Sequence, residues 1–398
     1  MDKEQEEKRG EIQRATHDDD DDRSEDSQLD HIPFDLTLEI LLRLPAKSLV
    51  RFRCVSKLCS SLTTLPSFIN SFRSRSSARP PRLLFTFVIE TKRFVFSFPQ
   101  HHNHDGSNPP FYSYQTTNPS FMAYNGPNTL SGSVHGLVLL AGFKIWNPSF
   151  TRFLTLPHPI ENISSDKYRS YIGIGYDPLE DKHKVLFVSF FEHFEQPQVL
   201  TLGAKESWRT IPKSCPEHYP PYGGGRCVNG ILYYEARVVG VDHDLIMSFD
   251  VTSEKFNHPI KFPNTNFRSE RSRMSSYEGK LALVQTSYPF GYIGLYVLED
   301  AVGDEWTHKW FCDVNCNREW RRYILFQGIT DAGELIFAPC GWHESFFILY
   351  FDPRTKRIRE ALFEGMMSEE IKHSYNHSKY DTLFNLQVFP NHIESLLL

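Results

Sequence analysis

The sequence predicts an α+β multidomain protein, a small three-helix module followed by an all-β, propeller-like domain of about six blades. Two observations carry this reading. Residues 29–75 place apolar side chains at helical spacing between prolines. Beyond Arg82, short apolar runs separated by turn-rich stretches recur roughly every 50 residues, and no long helical pattern interrupts them.

Residues 1–28 read as a disordered acidic tail. Residues 1–30 hold 13 Asp and Glu against 5 Lys and Arg, and the run Asp18–Asp22 repels itself and cannot nucleate a core. The helical module follows. Pro33 suits a first helical turn, where its missing N–H costs nothing. Leu36, Ile40, Leu41 and Leu44 then form one apolar stripe, which Pro45 ends. Leu49, Phe52 and Val55 form a second stripe, and Ser56 is placed to cap a third helix through Leu58 and Leu62. Three short helices cannot bury all of this surface alone, so the segment needs a partner or the domain that follows.

Residues 76–98 read as a linker with the first strands, and 99–398 as the β-domain. The repeating unit is a turn with Gly, an apolar strand, a loop, a second apolar strand, a turn and a charged strand. It occurs around Gly136, Gly230, Gly279 and Gly333. Gly230 to Gly279 is 49 residues and Gly279 to Gly333 is 54, close to one kelch-type blade. Gly136 to Gly230 is 94, so residues 171–211 supply a blade that lacks the marker. Each unit is one antiparallel sheet covered only by its neighbours, which calls for a closed ring. Residues near 80–98 are expected to pair with those near 383–389 and lock it.

Composition narrows the function. An odd set of 7 cysteines without close pairs argues for a reducing compartment. The acidic N-terminus lacks a signal-peptide core, and no apolar run is long enough for a membrane span. The β-domain has no basic excess, which argues against nucleic acid as a partner. His101, His102 and His104 sit among loop residues with no second ligand group at fixed spacing, and Cys312 and Cys316 lack a second pair, so no metal is expected. Gly223, Gly224 and Gly225 are followed by neither Lys nor Ser/Thr and read as a flexible loop. Asp177, Asp250 and Asp352 recur after Tyr or Phe at strand ends, which fits Asx turns better than acid catalysis. Trp146, Trp208 and Trp306 fit packing between blades. No catalytic dyad or triad stands out, and no cofactor is expected.

The segment Ile32-Pro33-Phe34-Asp35-Leu36 through Glu39-Ile40-Leu41-Leu42-Arg43-Leu44-Pro45, then Leu49 and Phe52-Arg53-Cys54-Val55-Ser56, resembles the F-box. The family usually carries Trp where this chain has Cys59, which weakens packing of the third helix. Ile145-Trp146-Asn147-Pro148, Gly175-Tyr176-Asp177-Pro178, Ser207-Trp208-Arg209 and Phe249-Asp250-Val251, in order, resemble the F-box-associated domain of plant F-box proteins, type 3. The resemblance implies a substrate-recognition subunit of a Skp–cullin–F-box (SCF-type) ubiquitin ligase, resident in nucleus or cytoplasm and itself non-catalytic. The partners so implied are a Skp-family adaptor, through it a cullin and a RING subunit, and a protein target. Adaptor contacts would come from Ile32, Pro33, Leu36, Ile40, Leu41, Leu44, Pro45, Leu49, Phe52 and Val55. Target contacts would come from loops such as 101–130, 214–226 and 285–293. The alternative is a propeller-fold enzyme such as a glycan-active hydrolase, which needs paired carboxylates near the central channel.

Overall fold

The computed structural model describes residues 32–89, 92–100, 112–117, 132–140, 143–150, 153–159, 169–190, 195–203, 207–211, 215–219, 225–264, 272–287, 290–311, 324–339, 346–363 and 386–397. The acidic tail, the histidines at 101–104 and both Cys312 and Cys316 lie outside these residues. The chain divides into two compact units. One comprises Met1–Arg79, Ser149–Thr151 and Ile393–Leu398, and the other Pro80–Pro148 and Arg152–His392.

The first unit has four described helices, Phe34–Arg43, Ala46–Val55, Lys57–Thr64 and Pro66–Ser77, one more than the sequence reading expects. Proline punctuates them as anticipated. Pro33 and Pro45 occupy the N-cap positions of the first two helices. Ser56 caps the third, its Oγ accepting the Cys59 N–H at 3.3 Å. The fourth opens on Pro66 and escapes the periodicity because Ser, Asn and Arg dilute its apolar face of Phe68, Ile69 and Phe72. It also runs through residues 76 and 77, which the sequence reading gave to a linker.

Leu41, Leu42, Ala46, Leu49, Leu62, Phe68 and Phe72 form the core of this unit together with Phe150 and Leu396. Two of its core side chains thus come from more than 70 residues beyond the last helix, and burying each is worth roughly 1.5–3 kcal/mol. Cys59 packs half-buried against the same core. Polar bonds reinforce the arrangement. Ser76 Oγ donates to the Glu394 carbonyl at 2.8 Å, and Arg53 donates to Thr63 Oγ1 at 2.9 Å and to its carbonyl at 2.7 Å.

The second unit is six antiparallel sheets. Blade I is Val138–Leu140, Lys144–Trp146 and Phe153–Thr155. Blade II is Arg169–Asp177, Lys182–Phe190, Gln198–Thr201 and Arg209–Thr210, the blade expected between the glycine markers. Blade III is built on Arg226–Val228, Ile231–Val238, Asp244–Asp250 and Lys255–Phe256. Two short strands, His218–Tyr219 and Ile260–Lys261, flank it. Blade IV is Ser272–Tyr277, Lys280–Thr286, Ile293–Asp300 and Glu305–Phe311. Blade V is Ile324–Ile329, Leu335–Pro339, Phe346–Asp352 and Arg357–Phe363. The closing blade pairs Gln387–His392 with Arg82–Ile89, followed by Lys92–Pro99 and Tyr112–Thr117. The expected exchange between the two ends of the domain is therefore present, with Phe85 opposite Val388 and Leu84 opposite Phe389.

The strands Arg169–Asp177, Arg226–Val228, Ser272–Tyr277, Ile324–Ile329 and Gln387–His392 neighbour one another in that order and form the innermost ring, with Val134, bridged to Leu137, marking its place in blade I. Leu84, Val95, Phe389, Val138, Leu140 and Trp146 share one core, which joins the closing blade to blade I. The glycine markers are hairpin turns. His135–Gly136, Asn229–Gly230 and Glu278–Gly279 each hold two consecutive positive φ angles, the type I′ geometry that matches strand twist and favours glycine.

The aspartates are turn residues, as expected, and Asp300 joins them. Asp177, Asp250, Asp300 and Asp352 each accept a backbone N–H two residues on, at 2.8–2.9 Å. Tryptophans link blades. Trp208 donates to the Pro157 carbonyl at 2.8 Å and Trp306 to the Lys261 carbonyl at 2.9 Å, while Trp146 is fully buried in the closing core.

Candidate docking site

Of the ten side chains singled out in the helical module, the structure leaves six exposed and turns the others in. Ile32 (59%), Leu36 (54%) and Ile40 (48%) are exposed large hydrophobics; Leu36 and Ile40, four apart, share one face of the first helix, and Ile32 lies just before its cap. Pro33 beside them is also exposed. Phe52 (42%) and Val55 (81%) expose the end of the second helix. Leu58 (44%) adds a residue that the sequence reading assigned to the third helix without giving it a docking role. Its spacing of three from Val55 was the available signal.

Leu41 and Leu49, both named among the expected adaptor contacts, belong to the core of the unit. Leu44 and Pro45 are half-buried. The reason is geometric. A stripe at i, i+4, i+5, i+8 is wider than one exposed face, and its inner edge packs on Phe68 and Phe72 of the unanticipated fourth helix.

That helix also fixes the orientation of the first. Glu39 accepts from Arg75 Nη1 at 2.8 Å and Nη2 at 2.9 Å, and from Arg43 Nε at 3.0 Å. The Arg75 hydrogen bonds are the main cause that holds the Glu39 carboxyl below its ordinary range. Fork-to-fork pairing of this kind is directional, so it sets the rotation of the exposed Leu36 and Ile40 face.

Asp177 of the β-domain is occupied structurally. Burial alone would raise the Asp177 pKa, but bonds from Lys184 at 2.7 Å, the amides of Glu180 and Leu179, and Thr252 hold it down at about 2. Lys184 is itself buried and reaches Glu254 of blade III at 3.0 Å. Among the described residues no cluster of His, Cys, Asp or Glu could hold a metal ion, and no helix is long and apolar enough to cross a membrane. Of the three loops expected to meet a target, most of 101–130 lies outside the described residues, whereas 215–219, 225–226, 285–287 and 290–293 lie within them.

Residues 29–71 match the F-box domain, and residues 82–393 match the F-box associated beta propeller domain. The chain belongs to the F-box protein family. This F-box protein is 38% identical to F-box protein At5g18160 of Arabidopsis thaliana, over 93% of this chain and 92% of that one. It is 36% identical to F-box protein At1g30790 of the same plant, over 93% and 98%. Among solved structures, apo AztD from Citrobacter koseri aligns at a TM-score of 0.35 and 12% identity, over 77% of this chain and 97% of that one. A family 117 glycoside hydrolase from Zobellia galactanivorans aligns at 0.30 and 10%, over 58% and 87%. Likeness at that level carries no argument about activity. The F-box match ends within the fourth helix, so the packed helical unit of this F-box protein extends past the motif itself.

Proposed function

We propose that this F-box protein is the substrate-recognition subunit of an SCF-type ubiquitin ligase, acting in the nucleus or cytoplasm. Its F-box binds a Skp-family adaptor and, through it, a cullin and a RING subunit. Its propeller holds a protein target. The chain does no chemistry itself and raises the effective concentration of the target near the transfer enzyme.

One observation carries this reading. Ile32, Leu36, Ile40, Phe52, Val55 and Leu58 stay exposed on a small helical unit that has already filled its own core. Large apolar side chains left outside a complete core are suited to a partner. The test is capture of a purified Skp-family adaptor by the full chain. A Leu36→Ala, Ile40→Ala change is expected to weaken capture by two to four orders of magnitude, since each buried Leu or Ile contributes roughly 1.5–3 kcal/mol. Capture at unchanged affinity would overturn the proposal. A glycan-active hydrolase is the competing reading, and it requires a free carboxylate pair. Asp177, Asp250, Asp300 and Asp352 are committed to turns, so no described observation favours it.

A further inference from the structure

The innermost ring of the propeller is cationic. Two described arginines, Arg226 and Arg273, lie on its strands, against one carboxylate, Asp177. That carboxylate is committed to Lys184 and to its own turn. Arg226 lies on the inner strand of blade III, yet its guanidinium rests against Gly132, so close that a Cβ there would overlap Nη1 and Cζ. Gly132 precedes Ser133, whose Oγ bonds His392 Nδ1 on the inner strand of the closing blade at 3.0 Å. Blade II stands between blades I and III around the ring. The Arg226 guanidinium therefore reaches from blade III to the segment that opens blade I.

Among the described residues no carboxylate or carbonyl bonds this guanidinium, and desolvation holds its pKa below the ordinary value. On the adjacent inner strand, Arg273 is desolvated too, and its described bond is to the carbonyl of its own neighbour Ser272 at 3.1 Å. Two residues along, on the same side of that strand, Ser275 is buried with an unbonded Oγ. Desolvated guanidinium groups with no carboxylate partner among the described residues favour an anion, and a low-dielectric ring focuses their field.

We propose that the central channel binds a small oxyanion, the phosphate or carboxylate group of a small ligand, with Arg226 as its principal anchor and Arg273 as the second charge. The planar guanidinium fork matches either group through two parallel N–H donors. This site is independent of the adaptor reading, because it lies wholly within the propeller and its test involves no adaptor.

The test is titration calorimetry of the full chain at low ionic strength, with inorganic phosphate in one arm, acetate in a second and chloride as the control. Saturable binding of phosphate or acetate beyond that of chloride is expected, and the stronger arm identifies the group preferred. Arg226→Gln should lower that affinity about tenfold or more, and Arg273→Gln by a smaller factor. Gly132→Ala keeps both charges but pushes the Arg226 guanidinium from its place, so it should also weaken binding. If Arg226→Gln fails to fold, Gly132→Ala and Arg273→Gln decide the question. Absence of saturable binding, or affinity unchanged in these variants while their β-type circular dichroism is retained, would overturn the proposal.

Discussion

The Glu394 carboxylate accepts the Ala46 backbone N–H at 3.1 Å across 348 positions of sequence. Ala46 opens the second helix, whose N-cap is Pro45 and offers no side-chain bond. Glu394 thus acts as a distant cap. It satisfies an orphan N–H and places negative charge at the positive end of the helix dipole. Arg79 approaches the same carboxylate at 3.9 Å.

Glu394→Ala should therefore destabilise the helical unit by about 1–3 kcal/mol, the cost of leaving a buried donor unmet. Leu396→Ala should cost about 2–5 kcal/mol by opening a cavity in the same core. Hydrogen exchange is expected to show faster exchange in the four helices of both variants, with the blade strands unchanged. Uniform loss of protection across both units would contradict this.

Surface and core leucines of the helical module should separate cleanly. Leu49→Ala, at a fully buried position, is expected to lose about 2–5 kcal/mol of stability. Leu36→Ala, at a position more than half exposed, should leave melting within about 0.5 kcal/mol of the parent while weakening adaptor capture. Differential scanning calorimetry paired with the capture assay checks both halves.

His392 is buried, and desolvation, with a smaller contribution from Arg82, pushes its pKa down from 6.5 to about 3. In the unfolded chain it takes a proton near pH 6.5, but in the fold only near 3. The stability contributed by the neutral ring is complete above about pH 6.5 and is lost as pH falls toward 3. Replacing His392 with Gln should flatten the pH dependence of chemical denaturation across that window. An unchanged slope would show that other groups set it.

The buried Asp177–Lys184 pair reaches the half-buried Glu254 and so links blades II and III. Lys184→Ala leaves Asp177 charged and unpaired in the interior, and should cost about 3–5 kcal/mol. The Asp177 pKa is depressed from 3.8 to about 2. Its contribution is therefore present above about pH 4 and lost as pH falls through 2. Acid unfolding monitored by tryptophan fluorescence should begin at higher pH in Lys184→Ala than in the parent.

The sequence by itself determined the two architectures and the closure of the ring. Period and turn chemistry are local, so Gly136, Gly230 and Gly279 announced hairpins that need positive φ, and Asp177, Asp250 and Asp352 announced turns. Val388 and Phe389, apolar and far from any repeat, announced the closing strand. Only tertiary structure decided which faces were left over. Leu41 and Leu36 are one stripe in the sequence, but the Phe68 and Phe72 face of a weakly patterned helix buries the first and leaves the second exposed. Phe150, Glu394 and Leu396 carry no local signal at all, because their role is to fill and cap a unit whose helices lie elsewhere in the chain. Arg226 entered the sequence reading only as the last residue of the 214–226 loop expected to meet a target. A lone arginine in a short strand reads as surface, and only closure of the ring turns it inward against Gly132, where no described group answers its charge.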